Sequence, residues 1–309
     1  MMMLKQRGDP KQDVKEKLPQ DQDWDNDGNL SPYSIREQLT RMAKKVKNAT
    51  VAIEVIGRTV EYNDIVLLKM TKNHGSSDKY FRAGNDKYEQ NEEEKKIIFI
   101  VQGLSVMGAK SLGIWNKNVA LQGECPGVAL DRNFDISWNN NRSINSCNQE
   151  YPGPVPFSEA ETRAVRDVFH RYNHKIAAYF HVHAGSYDPS IFKGDAVLYP
   201  KGYTDSALDD DKYIDLRAEI EEAMRNASFR VLSVTVDTLY NWYGKVGGSS
   251  VDYASTVYGI PFALELVMQL YESESREDHS WNALSEIWFR ILQVIFEFIW
   301  KNNNGNEIR

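Results

Sequence analysis

The chain has 309 residues, of which 41% are apolar and 26% charged, and this composition excludes a fibrous or wholly disordered protein. Its 37 Lys and Arg residues against 44 Asp and Glu give a formal net charge of −7. No long basic run is present that could neutralise a phosphate backbone, so we expect no nucleic-acid partner. No segment reaches the roughly 18 consecutive apolar residues of a membrane-spanning helix, so we expect no membrane partner.

The first 28 residues are polar and have no periodic apolar pattern. Such a segment cannot bury enough surface to offset its ordering entropy, which predicts a flexible tail over residues 1–28. The segment also has no apolar central stretch, so we do not expect a signal peptide within it. Residues 29–309 are expected to form one folded domain.

The elements that follow the tail are an amphipathic helix over 31–46 and two alternating strands over 51–57 and 65–70. The apolar run over 97–101 is typical of a strand that helices cover on both faces. The strongly hydrophilic segment between these strands, 71–96, is predicted to be an exposed loop.

The second half of the chain alternates strands with helices. Ser158 and Glu161 have the Ser-x-x-Glu spacing of a capping box, which predicts a helix from about 159 to 172. The remaining predicted elements are strands over 176–185 and 229–236, a helix from about 211 to 226, and a very apolar core helix over 281–300. This order predicts an α/β fold with a mixed, largely parallel β-sheet and helices on both faces.

Three residues on the predicted strands are candidates for chemistry, because ligands bind beyond the carboxyl ends of the strands in such sheets. His181 and His183 lie two residues apart, so their side chains share one face and form a moderate signal for a metal site. The alternative is that one or both are hydrogen-bonded sheet histidines. Glu265 interrupts an apolar run and is a candidate general base, or alternatively an outward-facing residue of a half-exposed strand.

Five segments carry a family resemblance: GVALDRNFD, CNQEYPGPVPFSEAET, AYFHVHAGS, GGSSVDY and GIPFALEL. In this order and at these separations they resemble the zinc metallocarboxypeptidases, over roughly residues 31–300. The resemblance implies a carboxypeptidase-like domain over 29–309, a Zn²⁺ cofactor, hydrolytic release of C-terminal residues, and peptide or protein C-termini as partners. It also implies a secreted protein.

Several residues match functional positions of that family. His183 matches the third zinc ligand, Glu265 the catalytic general acid/base, and Arg132 a group that grips the terminal carboxylate of the substrate. Tyr243 best matches the mobile substrate-binding tyrosine, and Tyr240 is the near alternative.

The resemblance also concerns a pocket and a disulfide bond. Val251 matches the floor of the specificity pocket, where an apolar residue would favour aliphatic or aromatic C-terminal side chains. By count alone, Cys125 and Cys147 are ambiguous between two thiols and one disulfide bond. The family often closes a loop of this kind, so the resemblance favours the bond.

The chain departs from the family where the metal should be held. Ser105 and Gly108 stand at the positions of the family's His-x-x-Glu ligand pair, Asn116 replaces an arginine that stabilises the oxyanion, and Asp131 replaces the asparagine beside Arg132. Catalytic zinc needs three protein ligands and an open position, so one remaining ligand predicts weak or absent hydrolysis.

Three hypotheses therefore remain after the sequence. The chain is a zinc peptidase that uses a substitute ligand, for which His181 is the only nearby candidate, or a non-catalytic pseudoenzyme that binds peptide C-termini. The third is an incomplete gene or splice product of an active enzyme.

Overall fold

The chain is described from a computed structural model that covers residues 32–72, 96–104, 116–121, 124–138, 144–185, 194–205, 211–226, 234–268 and 279–304. It divides into two compact units, Met1–Glu89 and Gln90–Arg309. The interval 29–309 therefore comprises parts of both units, and the extent of the carboxypeptidase-like domain stays a prediction. The predicted tail over 1–28 lies outside the described residues.

The first unit contains a helix and a β-hairpin. Helix α1 spans Pro32–Lys45, and strands β1 (Ala49–Arg58) and β2 (Asp64–Lys72) pair in antiparallel fashion. The ion pair between Lys69 Nζ and Glu54 Oε2 links the two strands at 2.5 Å. The structure thus confirms the predicted helix and both strands, whereas most of the predicted loop over 71–96 lies outside the described residues.

The second unit is built on a five-stranded sheet with the order β3-β4-β7-β5-β6. Three of its four strand pairs are parallel, and only β5 runs antiparallel to β7. Its strands are β3 (Ile97–Gln102), β4 (Ile176–Ala184), β5 (Asp195–Tyr199), β6 (Val234–Thr238) and β7 (Phe262–Met268). The predicted mixed, largely parallel sheet is confirmed.

Helices cover both faces of this sheet. Successive strand residues point to opposite faces, and Tyr179 of β4 packs its ring 5.0 Å from that of Phe169, whereas Phe180 packs 5.9 Å from Phe296. Phe169 and Phe296 belong to different helices, α2 (Ala160–Tyr172) and α6 (His279–Asn304). The other described helices of this unit are α3 (Asp211–Asn226), α4 (Leu239–Tyr243) and α5 (Ser250–Val257). Among the described residues, no helix is both long and apolar enough to cross a membrane.

An apolar core lies between the sheet, α3 and α6. Its fully buried members include Phe180, Val197, Leu216, Ile220, Leu264, Ile291 and Ile295. Burial of this apolar area is the main favourable contribution to folding. The predicted core helix is therefore confirmed, and it extends from His279 to Asn304.

Strand β3 differs from its prediction on one face. Phe99 and Val101 are buried, but Ile98 and Ile100 are 42% and 49% exposed. Among the described residues β3 pairs only with β4 and lies at the sheet edge. The strand is confirmed, and the prediction that helices cover it on both faces is wrong.

The start of α2 also differs from its prediction. Ser158 does not cap the helix, because its hydroxyl donates to Glu159 Oε1 at 2.7 Å. The N-cap residue, which precedes Ala160, is instead Glu159. Its backbone N–H donates to Asn133 Oδ1 at 3.3 Å, and Thr162 Oγ1 donates to the same atom at 2.7 Å. A distant asparagine therefore replaces the local capping box, which was a wrong prediction.

Truncation of one buried isoleucine tests the position of the core. Ile291 of α6 is 1% exposed, whereas Ile214 of α3 is 59% exposed. We expect Ile291→Ala to lower the free energy of unfolding by about 2–5 kcal/mol because it leaves a cavity. The matched variant Ile214→Ala changes it by less than about 0.5 kcal/mol. Urea unfolding of both variants measures the difference, and equal losses would contradict the assigned core.

Asp252 is a fully buried carboxylate near the start of α5. Both of its carboxylate oxygens accept from the backbone N–H of Gly202, at 2.9 and 3.2 Å. Burial, supported by the nearby carboxylates of Asp131 and Glu265, raises the pKa of Asp252 from 3.8 to about 7, against the opposing Gly202 N–H. The folded state therefore binds this proton more tightly than the unfolded state does.

This raised pKa predicts a pH-dependent stability. The contribution of Asp252 to the free energy of unfolding is fully present below pH 3.8, the pKa of Asp252 in the unfolded chain. It is lost as the pH rises through about 7, the pKa of Asp252 in the folded chain. The Asp252→Asn side chain cannot ionise. Between pH 5 and pH 8 the free energy of unfolding of the wild type should therefore fall by about 2–3 kcal/mol, whereas the variant should not show this fall. Urea unfolding of both metal-free proteins at the two pH values measures this, and parallel pH profiles would refute it.

Candidate functional site

The candidate site lies on two adjacent parallel strands. In the register of β4 and β7, His181 stands opposite Glu265, and His183 stands opposite Val267. The two histidines share one face, as their spacing predicts, and both approach Glu265. Glu265 is only 2% exposed, so the alternative of an outward-facing residue is wrong.

His183 and Glu265 form a buried pair. His183 Nε2 lies 2.8 Å from Glu265 Oε1, and its Nδ1 lies 2.7 Å from the carbonyl oxygen of Ala184. Because a carbonyl only accepts, Nδ1 carries a proton and donates it. Burial alone would lower the pKa of His183, but the hydrogen bond and charge of Glu265 outweigh it and raise that pKa.

The same pairing acts on the carboxylate. Burial alone would raise the pKa of Glu265, but the imidazoles of His181 and His183 outweigh it and hold the pKa well below its usual range. In this buried pair, His183 and Glu265 therefore each favour the charged form of the other. A carboxylate with a depressed pKa is a weak base.

Tyr243 joins this pair from the end of α4. Its hydroxyl donates to Glu265 Oε1 at 2.5 Å and lies 3.5 Å from His183 Nε2. Tyr243 is 36% exposed, but desolvation of its hydroxyl against the sheet, together with the charge of Glu265, raises the pKa of Tyr243 well above its usual value, so it stays a neutral donor. The structure thus brings Tyr243 to the site, whereas the backbone of Tyr240 donates to the Lys201 carbonyl.

Arg132 is buried beside two carboxylates. Its Nη1 lies 3.2 Å from Asp131 Oδ2, and its Nε lies 2.8 Å from Glu150 Oε2. The latter two atoms are not aligned for a hydrogen bond, so their contact is an ion pair. Burial opposes the charge of Arg132, but Glu150 and Asp131 outweigh it and raise the pKa of the guanidinium. Its Cζ also lies 5.4 Å from the Tyr243 ring centroid, a cation–π distance.

Gly248 brings the turn that carries Arg132 against the segment before α5. Its φ is 78°, and a Cβ there would lie 2.0 Å from the carbonyl oxygen of Arg132. Only glycine fits this close approach. The backbone N–H of Ser250 then donates to Asp131 Oδ1 at 2.9 Å. Val251, the predicted pocket floor, is buried in the following helical turn and lies outside the hydrogen-bonded cluster.

Glu150 is a member of the site that the sequence did not indicate. It pairs with Arg132, and its Oε1 accepts from Asn116 Nδ2 at 3.0 Å. The only signal was its place in CNQEYPGPVPFSEAET, one of the segments that carry the resemblance. The disulfide bond between Cys125 and Cys147 holds the start of that segment and is confirmed.

Three described residues could together hold a metal ion. Ser105 and Gly108 lie outside the described residues, and neither supplies an imidazole or a carboxylate. His181, His183 and Glu265 each offer one donor atom, and these three atoms lie within 4.8 Å of one another. Among the described residues, a possible set of metal donors therefore meets on β4 and β7.

Known proteins match much of this chain. Rat mast cell carboxypeptidase A is 34% identical over 167 residues, which are 50% of this chain and 36% of that protein. Bovine carboxypeptidase O is 26% identical over 209 residues, 63% of this chain and 52% of that protein. The chain thus spans about a third to a half of the length of these relatives. A protein of Ajellomyces dermatitidis named inactive metallocarboxypeptidase ECM14 is 35% identical over 85 residues, 26% of this chain and 13% of that protein.

Solved structures share the fold. Bovine thrombin-activatable fibrinolysis inhibitor, solved in complex with tick carboxypeptidase inhibitor, superposes with a TM-score of 0.66 at 18% identity, over 88% of this chain and 98% of that chain. Carboxypeptidase A from Helicoverpa armigera superposes with a TM-score of 0.64 at 18% identity, over 87% of this chain and 73% of that chain. The sequence model described as zinc carboxypeptidase matches residues 106–278, more than half of the chain, and this protein therefore belongs to the zinc carboxypeptidase family.

Proposed function

We propose that this chain binds the C-terminal carboxylate of peptides at Arg132 and hydrolyses them weakly or not at all. The observation that carries the proposal is the ion pair between Arg132 and Glu150. The side chain of Arg132 is 9% exposed, whereas that of Glu150 is 43% exposed. A buried guanidinium therefore already holds a carboxylate whose paired oxygen is buried, on a side chain that is otherwise partly exposed.

A peptide carboxylate would exchange with Glu150 at this position. The incoming carboxylate would replace the negative charge of Glu150, so the buried guanidinium would not be left unpaired. The pKa of Arg132 is raised, which keeps the guanidinium charged while it exchanges partners. The ring of Tyr243, next to this guanidinium, would close over the bound peptide terminus.

Hydrolysis by the family mechanism is not supported by the residues around Glu265. That mechanism uses Glu265 as a general base toward a zinc-bound water, and two of the family's three ligand positions are Ser105 and Gly108. In addition, Glu265 Oε1 already accepts from His183 and Tyr243, and its pKa is depressed. Asn116, at the position of the oxyanion arginine, supplies no positive charge.

Apolar C-terminal residues are the proposed ligands. Val251 matches the floor of the family's specificity pocket and has no charge that could pair with a basic side chain. Peptides that end in aliphatic or aromatic residues would therefore bind better than those that end in Lys or Arg. The word inactive in the name of one relative agrees with a binding role.

A secreted location is also part of this proposal. The disulfide bond between Cys125 and Cys147 is of the kind that forms in oxidising compartments. Asn48 is exposed and begins an Asn-x-Thr acceptor for glycosylation, which is added along the secretory route.

A second candidate function is hydrolysis through substitute ligands. It is favoured by one observation, the donor atoms of His181, His183 and Glu265 within 4.8 Å of one another. We rank it below binding because a metal-bound Glu265 is no longer available as the general base.

Peptide titration tests the proposed binding. We expect an acetylated tetrapeptide that ends in Phe to bind as the free acid and to lose roughly tenfold or more in affinity as the C-terminal amide, because the charge-assisted contact to Arg132 is removed. Arg132→Gln should abolish this preference, and the matched exposed variant Arg217→Gln should keep it. Calorimetry in the presence of a metal chelator measures the affinity of each protein for the two peptides. Equal affinity of the wild type for the free acid and the amide would contradict the proposal.

A further inference from the structure

We propose that this chain carries a metal site different from that of its family, in which His181, His183 and Glu265 together hold one zinc ion. The ligands lie on strands β4 and β7 and replace the two donors lost at Ser105 and Gly108. The inference stands apart from the proposed peptide binding, which requires no metal.

The sheet register places the three donors. Parallel pairing sets His181 directly beside Glu265, and the two-residue period of β4 returns His183 to the same face. One donor atom from each residue lies within 4.8 Å of the other two. Two hydrogen-bonded strands carry these side chains, and such rigid elements hold metal ligands more precisely than loops do.

His181 provides the second, independent observation. It is completely buried, yet neither of its ring nitrogens has a hydrogen-bond partner. Its Nδ1 lies 3.6 Å from Asp131 Oδ1 and 3.7 Å from Glu265 Oε2, both too long for a hydrogen bond. Glu265 Oε2 also has no hydrogen-bond partner. Buried polar atoms are almost always satisfied, and a cation between these unpartnered atoms would satisfy them together.

The donor types select the ion. Two imidazoles and one carboxylate form a set that binds zinc with an open fourth position, whereas Mg²⁺ and Ca²⁺ prefer oxygen donors throughout. His183 Nδ1 donates to the Ala184 carbonyl, which fixes the ring and leaves Nε2 for the ion. Asp131 Oδ1 lies 3.6 Å from His181 Nδ1 and adds negative charge near the ion.

Occupation of this site has a consequence for chemistry. A Glu265 that coordinates the metal cannot also take a proton from water, so the ion and the family's general base compete for one side chain. Because zinc would bind the native state and not the unfolded chain, we expect zinc uptake to stabilise the fold. It does not restore the family mechanism.

Metal analysis tests the site. Chelator-treated full-length protein is dialysed against Zn²⁺, Mg²⁺ or Ca²⁺, and its metal content is measured by mass spectrometry. We expect one zinc per chain, with no retained Mg²⁺ or Ca²⁺. His181→Ala and Glu265→Gln should each weaken zinc binding at least tenfold, whereas the control His170→Ala, an exposed histidine on α2, should leave it unchanged.

A measurement on the wild-type protein tests the site even if the variants fail to fold. X-ray absorption at the zinc edge of the loaded protein should show two imidazole ligands, whereas a site that uses only His183 would show one. Absence of bound zinc, a single imidazole, or full zinc affinity in folded His181→Ala would overturn the inference. Peptide titration in chelator is unaffected by any of these results, so the two proposals can fail separately.

Discussion

The contact between His183 and Glu265 is the interaction on which the rest of the site depends. It joins the neighbouring strands β4 and β7 in the interior, where an unpaired carboxylate would be very costly. Removal of His183 would leave Glu265 as a buried carboxylate without this partner. Tyr243 adds its hydroxyl to the same oxygen of Glu265, so the end of α4 is held to the sheet by this pair.

A second charge arrangement extends from this pair through Tyr243 to Arg132. The guanidinium packs against the Tyr243 ring and has one buried carboxylate partner, Asp131, and one partly exposed partner, Glu150. Asp131 lies beside the arginine in the interior, while Glu150 pairs with it from a side chain that is 43% exposed. This arrangement supports the proposed binding of a ligand carboxylate at Arg132.

The sequence predicted those features that follow from local periodicity or from long motifs. His181 and His183 share a face because side chains on a strand alternate, and this holds in any sheet. The burial of Glu265 was left open, because β7 lies inside the sheet and its continuous apolar run has no alternation that reports a face. The cap of α2 was mispredicted, since Ser158 had the right spacing but Asn133, distant in the sequence, accepts the hydrogen bond. Such long-range partners have no local signature.

The most direct test of the account is whether the chain cleaves the peptide that it binds. A free-acid peptide that ends in Phe is incubated with excess protein and zinc, and mass spectrometry follows release of the C-terminal residue. We expect the peptide to stay intact, or to be cleaved at a rate that Glu265→Gln leaves unchanged. Release of the terminal residue at a rate that Glu265→Gln abolishes would contradict it and would make this chain a working carboxypeptidase.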